Sequence, residues 1–485
     1  MFIGRETELR FLQDKYNEKK AQLIVLYGRR RVGKTETLRE FCRDKPHLFF
    51  SCTQTTDRVQ LARFSSQILR EDIPAKQYLS EFADWEKAFR AIPDLPYGEK
   101  KKLIVIDEFP YMCKGNKSIP SILQNLWDME LKDGNVMIVL CGSAMSFVEK
   151  ELLAEKNPLY GRATGIYKMT EMGFYEAACF FPDYSERDKV LAYAVLGGIP
   201  HYLNQFSPEL SVQENIKRNI LTKGSVLYSE ADFLLHQELR ETPIYNAIIE
   251  AVALGSTKLN DISQKSLLED TSKTSVYLKN LIELGIVRRE FSIDAGTKEK
   301  ANANRGTYRL TDHFFRFWYA FGFANLSQLE DGDVEGVYEY LVRPALHEFA
   351  SSVFEDVCRE FVRELQKKNA LPFRYARMGR WMGKTTVRDK NAENGLRMAE
   401  TEIDLLGISR DGKEYLVGEC KFKHSPFAYG EYLDTKAKLA PQKENAKFYY
   451  ALFSESGFDD KIMTEAESSE SLCLYDLDAI VNFEK

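Results

Sequence analysis

The residues with the clearest chemistry lie in a glycine-rich loop near the start of the chain. The loop reads Gly28-Arg-Arg-Arg-Val-Gly33-Lys34-Thr35 and follows the apolar run 23–27. This spacing, between a strand-like run and a helical pattern, is typical of a phosphate-binding P-loop. Backbone N–H groups and the positive end of a helix together favour a bound triphosphate. We predict that ATP binds to Gly28, Arg29, Arg30, Arg31, Val32, Gly33, Lys34, Thr35 and Glu36.

The groups that would act on the triphosphate can also be assigned. We expect the Lys34 ammonium to reach the β- and γ-phosphates and the Thr35 hydroxyl to ligate Mg²⁺. Asp107 and Glu108 follow the apolar run 103–106. Carboxyl ends of parallel strands meet at one edge of a sheet, so both acids should face the P-loop. We predict that Asp107 holds Mg²⁺ through water and that Glu108 is the general base.

Two more residues are candidates for contacts with the γ-phosphate. Ser143 follows the apolar run 136–141, and a strand between the two motifs would place its hydroxyl near that phosphate. Arg162 follows in a glycine loop beyond the last predicted core strand, where an arginine finger could act in cis or from a neighbouring subunit. Finger action in trans requires a homo-oligomer. A strand-end turn residue and a surface arginine are the structural alternatives, and both stay open.

A second group of candidate catalytic residues lies in the last third of the chain. Asp411-Gly412 stands between two apolar segments, which favours a tight hairpin. Counting outward from that turn places Asp404 opposite Glu419 and Glu402 opposite Lys421, all on one face.

Opposed carboxylates repel each other unless a cation lies between them. We therefore predict a divalent metal bound by Asp404 and Glu419. The family resemblance given below implies that an acid of the helical segment 345–366 completes this site. That acid is Glu355 or Glu348, and the sequence leaves the choice open. Lys421 is the expected catalytic lysine beside the metal.

The remaining patterns divide the chain into four predicted parts, all in an α/β fold with a parallel P-loop sheet. These are an ATPase core at 1–168, a segment at 169–235 that the family resemblance given below implies to be a helical lid, a winged-helix domain with an aromatic linker helix at 236–330, and a C-terminal domain at 331–485. Three helical patterns and two strand patterns predict the winged helix.

The charge distribution gives two candidate contact surfaces. Residues 236–312 contain eleven basic and eleven acidic residues, although the basic ones gather in the predicted wing. Winged helices contact DNA or proteins, and this balance does not favour either use. A more basic strip at 373–390, interleaved with aromatic residues, predicts phosphate contacts through Arg374, Arg377, Arg380, Lys384, Arg388 and Lys390.

Composition excludes several other classes of protein. The net charge of −6 argues against a surface that is basic throughout, so any DNA contact must be local. The eight cysteines show no metal-like spacing, and an apolar run long enough to span a bilayer is missing from the sequence. We therefore expect a cytoplasmic protein without membrane contacts.

Several short motifs also carry a family resemblance. They are Gly4-Arg5-Glu6, the P-loop, Ile106-Asp-Glu108, Gly142-Ser143, Leu159-Tyr-Gly-Arg162 and Gly197-Gly-Ile-Pro200-x-Tyr202. In this order the chain resembles archaeal-type AAA+-like ATPases. The resemblance implies a helical lid, a winged helix and a C-terminal α/β domain similar to restriction endonucleases and other PD-(D/E)XK nucleases. Asp404…Glu419-x-Lys421 fits that nuclease pattern, but Ile403 stands in place of its proline.

Together these patterns predict an Mg²⁺-dependent ATPase that couples ATP to an action on DNA, including metal-dependent cleavage at Asp404, Glu419 and Lys421. The alternative is a regulatory ATP switch that uses the winged helix for protein contacts and does not cut nucleic acid. The intact acidic pair with its lysine favours the nuclease, and the balanced charge of the winged helix favours the switch.

Overall fold

The computed structural model describes residues 2–268, 270–301, 305–388, 396–439 and 445–483. The chain forms two compact units. The first contains Met1–Met172 and Ile199–His201, and the second contains Gly173–Gly198 and Tyr202–Lys485.

The first unit is built on a parallel sheet of five strands in the order β2-β3-β4-β1-β5. Its strands are β1 (Gln22–Gly28), β2 (His47–Ser51), β3 (Lys102–Asp107), β4 (Val136–Gly142) and β5 (Gly165–Met169). Its helices are α1 (Glu6–Asn17), α2 (Lys34–Cys42), α3 (Asp57–Ile68), α4 (Trp85–Arg90), α5 (Phe109–Gly115), α6 (Ile119–Leu126) and α7 (Met145–Phe147).

Both faces of the central strands β1, β3 and β4 are buried, which explains their continuous apolar runs. Along β1, Leu23 and Val25 pack in one hydrophobic cluster, and Ile24 and Leu26 pack in the other. Alternating side chains point to opposite faces of a strand, so a strand covered by helices on both sides must be apolar throughout. The strands β1, β3 and β4 are parallel neighbours, so they end at the same edge of the sheet. The polar residues of the predicted ATP site lie at these strand ends or just beyond them.

The second unit begins with short helices and continues into three helices and a hairpin. The helices up to this point are α8 (Phe174–Ala178), α9 (Glu186–Leu196), α10 (Pro200–Leu203, whose first two residues belong to the first unit), α11 (Val212–Asn215), α12 (Glu230–Glu238), α13 (Thr242–Ala253), α14 (Leu259–Lys265) and α15 (Thr271–Glu283). The antiparallel strands β6 (Val287–Glu290) and β7 (Thr307–Leu310) follow, with α16 (Thr297–Ala301) between them. We call this pair the β6–β7 hairpin.

The aromatic stretch after the hairpin is buried, as its composition predicts. Phe314, Phe315 and Phe317 lie in α17 (His313–Phe317) and are fully enclosed. The helices that follow are α18 (Leu326–Glu330), α19 (Val334–Val337) and the long α20 (Arg343–Lys367).

The chain ends in a mixed sheet with the order β12-β11-β10-β9-β8. Its strands are β8 (Tyr375–Arg388), β9 (Leu396–Ser409), β10 (Glu414–Lys421), β11 (Lys447–Ser454) and β12 (Leu472–Asp476). Its helices are α21 (Tyr429–Leu439), α22 (Asp460–Ser468) and α23 (Leu477–Val481). Strands β8, β9 and β10 are antiparallel neighbours, and β10, β11 and β12 are parallel. One hydrophobic cluster joins α20 to Leu405 and Leu416, and another joins Leu406 and Val417 to α21.

Among the residues that the structure describes, every helix is too short or too polar to cross a membrane.

Candidate functional site

The P-loop connects the end of β1 to the start of α2. A Cβ added at Gly28 would collide with the carbonyl oxygen of Met169, so only glycine fits there. Gly33 has a φ of 91° and Arg31 a φ of 73°, both in the left-handed region. This backbone turns the loop directly into the first turn of α2, where helix N–H groups are unpaired by the helix itself.

Lys34 lies inside the curve of this loop. Its ammonium donates hydrogen bonds to the carbonyl oxygens of Gly28 at 2.9 Å and Arg29 at 2.8 Å. Burial lowers the pKa of Lys34, although the acids Glu108 and Asp107 oppose that shift. The ammonium is thus held where a phosphate above the loop would meet it.

Thr35 and Asp107 meet across the edge of the sheet. The Thr35 hydroxyl donates a hydrogen bond of 2.8 Å to Asp107 Oδ2, and the Asp107 side chain is buried. A hydroxyl and a carboxylate oxygen side by side are suitable ligands for Mg²⁺.

Glu108 and Ser143 form a second pair at the same edge. The Ser143 hydroxyl lies 2.8 and 2.9 Å from the two carboxylate oxygens of Glu108, to which it donates. Glu108 has a φ of 53°, a conformation that non-glycine residues adopt rarely and that is frequent at functional sites. Because β4 lies between β1 and β3, Ser143 stands between the strands that carry the two predicted motifs.

The other predicted loop residues have different surroundings. Val32 accepts a hydrogen bond of 2.7 Å from the buried Arg5 guanidinium, which also pairs with Glu8 at 2.9 Å. Glu36 pairs with Arg39 on the surface of α2. Arg30, in the loop itself, is half-buried. Sequence reasoning missed Arg5 as a support of the P-loop, although Gly4-Arg5-Glu6 was a recognisable motif.

The segment Ile199–His201 also belongs to this unit, which the sequence did not indicate. Pro200 lies 3.6 Å from the position of a Cβ at Gly33. Burial and the nearby Arg31 charge lower the pKa of His201 to about 4. Pro200, from the Gly-Gly-Ile-Pro motif, and the adjacent His201 therefore lie next to the P-loop.

Arg162 differs from its predicted surroundings in one respect. We expected it beyond the last strand of the core, but this is wrong because β5 follows it and pairs with β1. Partly buried and exposed residues alternate along β5 up to the buried Met169, so it lacks the continuous apolar run of β1, β3 and β4. The Arg162 guanidinium pairs with Asp128 at 3.0 Å and donates to the Tyr160 carbonyl at 3.2 Å.

In the C-terminal sheet, β9 and β10 pair in the predicted register. Tyr415 lies opposite Ile408 and Gly418 opposite Leu405, so the next pair outward is Asp404 with Glu419. One cavity of about 530 Å³ is lined by the four predicted hairpin residues and by an acid of α20: Glu402, Asp404, Glu419, Lys421 and Glu355. Glu348, the other helical candidate, is exposed.

The acidic and basic side chains of this cavity affect one another's ionisation. Glu419 accepts hydrogen bonds from Lys421 at 2.9 Å and from Lys438 at 2.7 Å. Burial and the Glu419 charge raise the pKa of Asp404 to about 6. Burial and the Asp404 charge raise the pKa of Glu355 to about 7, against the opposing effect of Arg380. Each carboxylate thus raises the cost of ionising another, which is the situation that a bound cation would relieve.

The basic strip differs from its prediction at Arg380. This residue is buried and forms ion pairs with Glu355 and, at 3.3 Å, with Glu402. It therefore balances acids of the cavity and is not available for phosphate contacts. Arg374 and Arg377 are exposed, as such contacts require. Lys384 is also exposed, whereas the Arg388 side chain and Lys390 lie outside the described residues.

Basic residues of the β6–β7 hairpin are also paired within the chain. Arg288 contacts Glu290 at 2.6 Å and Asp356 of α20 at 3.4 Å, and Arg309 contacts Glu290 at 3.2 Å. These contacts use charges that the sequence had suggested for contacts with DNA or with a protein.

The segment 292–294 after β6 lies along β8. Ile293 N–H donates to the Arg380 carbonyl at 2.9 Å, and Trp381 Nε1 donates to Asp294 at 2.9 Å. Met382 N–H donates to Ser292 Oγ at 3.0 Å. The hairpin is thus hydrogen-bonded to the strand that carries Arg380.

Comparisons with known proteins agree with this arrangement. Residues 2–206 match a family described as "ATPase domain predominantly from Archaea". An uncharacterized protein of Methanocaldococcus jannaschii is 32% identical over 425 residues, which cover 87% of this chain and 88% of that protein. The chain belongs to this family of archaeal ATPases.

Other matches concern parts of this ATPase. An uncharacterized ATP-binding protein of M. jannaschii is 58% identical over 45 residues, 9% of this chain and 76% of that protein. Residues 318–434 match a family described as "Archaea bacterial proteins of unknown function". The solved Walker-type ATPase of Pyrococcus abyssi is similar in fold, with a TM-score of 0.50, 21% identity and coverage of 66% of this chain and 96% of that one. The protein binds and hydrolyses ATP.

Proposed function

We propose that this ATPase hydrolyses ATP with Mg²⁺ and uses ATP to control a metal-dependent action of its C-terminal cavity on DNA. The observation that carries the second half is the convergence of Asp404, Glu419, Lys421 and Glu355 on one cavity. Two parts of the chain thus have separate chemistry, and each can be disabled without the other.

In the ATPase unit, each role follows from the surroundings of a side chain. Thr35 and Asp107 would hold Mg²⁺, which would neutralise phosphate charge. Lys34 exchanges its loop carbonyls for phosphate oxygens. Glu108 accepts the proton of the attacking water, and the Ser143 hydroxyl orients the Glu108 carboxylate through its two short contacts.

In the C-terminal cavity, Asp404, Glu419 and Glu355 would hold a divalent cation, which would polarise a phosphate group and a water. Three carboxylates provide the oxygen ligands that Mg²⁺ and Mn²⁺ prefer. Lys421 is positioned by Glu419 and places a positive charge where a phosphodiester would gain negative charge. This is the chemistry of DNA cleavage by a PD-(D/E)XK-type site, and the exposed Arg374 and Arg377 would contact the DNA backbone.

The proposal is tested by incubating the full chain with labelled duplex, single-stranded and branched DNA, with Mn²⁺ and with or without ATP. We expect metal-dependent cleavage that Asp404→Asn, Glu419→Gln or Lys421→Met reduces by about a hundredfold or more, while ATP hydrolysis continues. Glu348→Gln changes an exposed acid of the same α20 helix and is the matched control. Cleavage that persists in all three site variants would exclude this cavity as its source.

A specific observation favours a second candidate, a regulatory switch that does not cut DNA. The β6–β7 hairpin is bonded to β8, and Arg380 balances Glu355 within the cavity. In such a protein the winged helix makes contacts with a partner protein, and the basic residues of its hairpin are already paired with acids of the same chain. A parent chain that hydrolyses ATP but cuts none of the three DNA forms under any metal would favour the switch.

A further inference from the structure

Three potential metal ligands converge outside both sites described above. His347 lies on α20, His424 follows β10, and Glu455 directly follows β11. One ligand atom from each lies within 4.8 Å of the others. The loop after β10 connects this group to the cavity, since its residues Phe422 and Lys423 line the cavity wall.

Glu455 is the most buried residue of the group, and two neighbouring side chains hold its carboxylate in place. Its side chain is 1% exposed, and it accepts a hydrogen bond of 2.7 Å from His347 Nε2. The Arg187 guanidinium contacts its other oxygen at 2.6 Å. A buried carboxylate is costly unless a positive charge lies beside it, so this position requires a cation.

The two imidazoles already lie face to face. Their ring centres are 4.0 Å apart with an angle of 19° between the planes, and His347 also stacks on Phe422. His424 Nδ1 lies 3.3 Å from an N–H of Arg187, so this nitrogen presents its lone pair to a positive charge. The Arg187 guanidinium thus contacts both Glu455 and His424, as a metal ion bound there would.

We propose that His347, His424 and Glu455 form a binding site for a divalent transition metal such as Zn²⁺, and that Arg187 is the cation it displaces. Ligands of a tetrahedral Zn²⁺ lie about 3.4 Å apart, given bond lengths of about 2.0–2.1 Å. The widest spacing within the group, up to 4.8 Å, must therefore shrink by roughly 1 Å, whereas His347 Nε2 and Glu455 Oε2, now 2.7 Å apart, must separate slightly, and one ring must turn out of the stack. His424 is exposed and can make that movement.

The ligand types distinguish this site from the acidic cavity. Two imidazole nitrogens and one carboxylate favour Zn²⁺ or Co²⁺ over Mg²⁺, whereas the oxygen ligands of Asp404, Glu419 and Glu355 favour Mg²⁺ or Mn²⁺. A metal at His424 would fix the loop that follows Lys421. The proposal does not depend on DNA cleavage, because it concerns binding alone.

The test is a Co²⁺ titration of the full chain, cleared of metal with a chelator, in a large excess of Mg²⁺. We expect one equivalent of Co²⁺ to bind with the visible absorption bands of nitrogen and oxygen ligation. His347→Gln and His424→Gln should each weaken binding by about tenfold or more. His236→Gln, which changes an exposed histidine beside Asp232, is the matched control. Because His424 is exposed, its variant should fold even where the His347 variant does not.

The variant Arg187→Gln distinguishes a metal site from an ordinary ion-pair cluster. Removal of the competing guanidinium should tighten Co²⁺ binding severalfold at a metal site, whereas an ion-pair cluster would gain no Co²⁺ affinity. The exposed thiol of Cys179 is not one of the proposed ligands, so Cys179→Ser should leave the visible spectrum of bound Co²⁺ unchanged. Absence of such binding in the parent chain, or equal binding in a His347→Gln/His424→Gln double variant, would overturn the proposal.

Discussion

At the scale of single residues, the proposed ATP site is built from a few short contacts between neighbouring strand ends. Lys34 bonds to two carbonyls of its own loop, Thr35 to Asp107, and Ser143 to Glu108. Each residue follows directly from the end of a strand or begins the helix after one. The order of the strands in the sheet therefore brings these side chains together. Because each side chain has a different proposed role, single substitutions should remove separate functions.

Lys34→Ala and Glu108→Gln should lose different steps of the reaction. Without the Lys34 ammonium, phosphate charge is uncompensated, so ATP binding should weaken by at least about tenfold. The amide of Glu108→Gln cannot accept a proton, so turnover should fall by about a hundredfold or more while ATP still binds. Nucleotide titration by fluorescence and steady-state phosphate release measure the two effects. Parental turnover in Glu108→Gln would show that another group is the base.

His201 should make the stability of the ATPase unit depend on pH. Its pKa in the folded protein is about 4, against an ordinary value of 6.5, because it is buried near Arg31. As pH falls from 6.5 toward 4, the unfolded chain binds a proton at His201 before the folded protein does. The contribution of the neutral His201 to stability is therefore full above pH 6.5 and is lost as the pH falls below that value. Since His201 is only partly buried, we expect a loss of about 1 kcal/mol at pH about 5.

The measurement compares the parent with His201→Gln in chemical denaturation at pH about 7.5 and about 5. Carboxylates titrate in both proteins, so the difference between them isolates the histidine. The parent should lose more stability than the variant on acidification. An equal loss in both proteins would mean that the His201 imidazole is as accessible to protons in the folded chain as in the unfolded one.

At the scale of elements, the β6–β7 hairpin is the feature whose contacts most affect function. It pairs with β8 through Ile293 and holds Trp381 through Asp294. Arg380, whose carbonyl accepts the hydrogen bond of Ile293, balances Glu355 in the cavity. The hairpin and the cavity therefore share one strand, and undocking should alter both.

A Ser292→Ala/Asp294→Ala variant should loosen this docking, because Met382 N–H and Trp381 Nε1 lose their acceptors. We expect faster amide hydrogen exchange over 380–382 and tighter, salt-sensitive DNA binding as the undocked hairpin frees Arg288 from Asp356 of α20. Asp261→Ala, at an exposed acid of α14, is the control for the loss of one negative charge. Exchange and DNA affinity equal to those of the control would contradict the prediction.

Local sequence patterns predicted much of the fold and of the candidate sites. The features that these patterns missed depend on packing between residues that are distant in sequence. The Asp411-Gly412 turn was enough to predict the pairing of Asp404 with Glu419, because register in a hairpin follows from its turn. Glu355 could be separated from Glu348 only by the packing of α20 on the sheet. The same holds for the Arg380 ion pair and for Pro200 beside Gly33, whose partners are distant in sequence.

At the scale of the whole molecule, the open question is whether one chain contains a complete ATPase site. Arg162, the candidate finger, is paired with Asp128 of its own chain at 3.0 Å. This pair is partly exposed, and exposed ion pairs contribute only about 0–1 kcal/mol. The guanidinium can therefore leave Asp128 at little cost if a neighbouring copy offers it a triphosphate.

If Arg162 acts in trans, ATP turnover per subunit should rise with protein concentration. Arg162→Ala should still bind ATP but should lose this rise, with a turnover lower by about a thousandfold or more at high concentration. Asp128→Asn, which releases the arginine, should show the rise at lower concentration than the parent, and Glu130→Gln on the same helical turn is its control. Turnover and mass should be measured together across a dilution series, by phosphate release and light scattering. A constant turnover from a protein that stays monomeric would exclude the trans arrangement and leave Arg162 acting in cis or as a surface residue paired with Asp128.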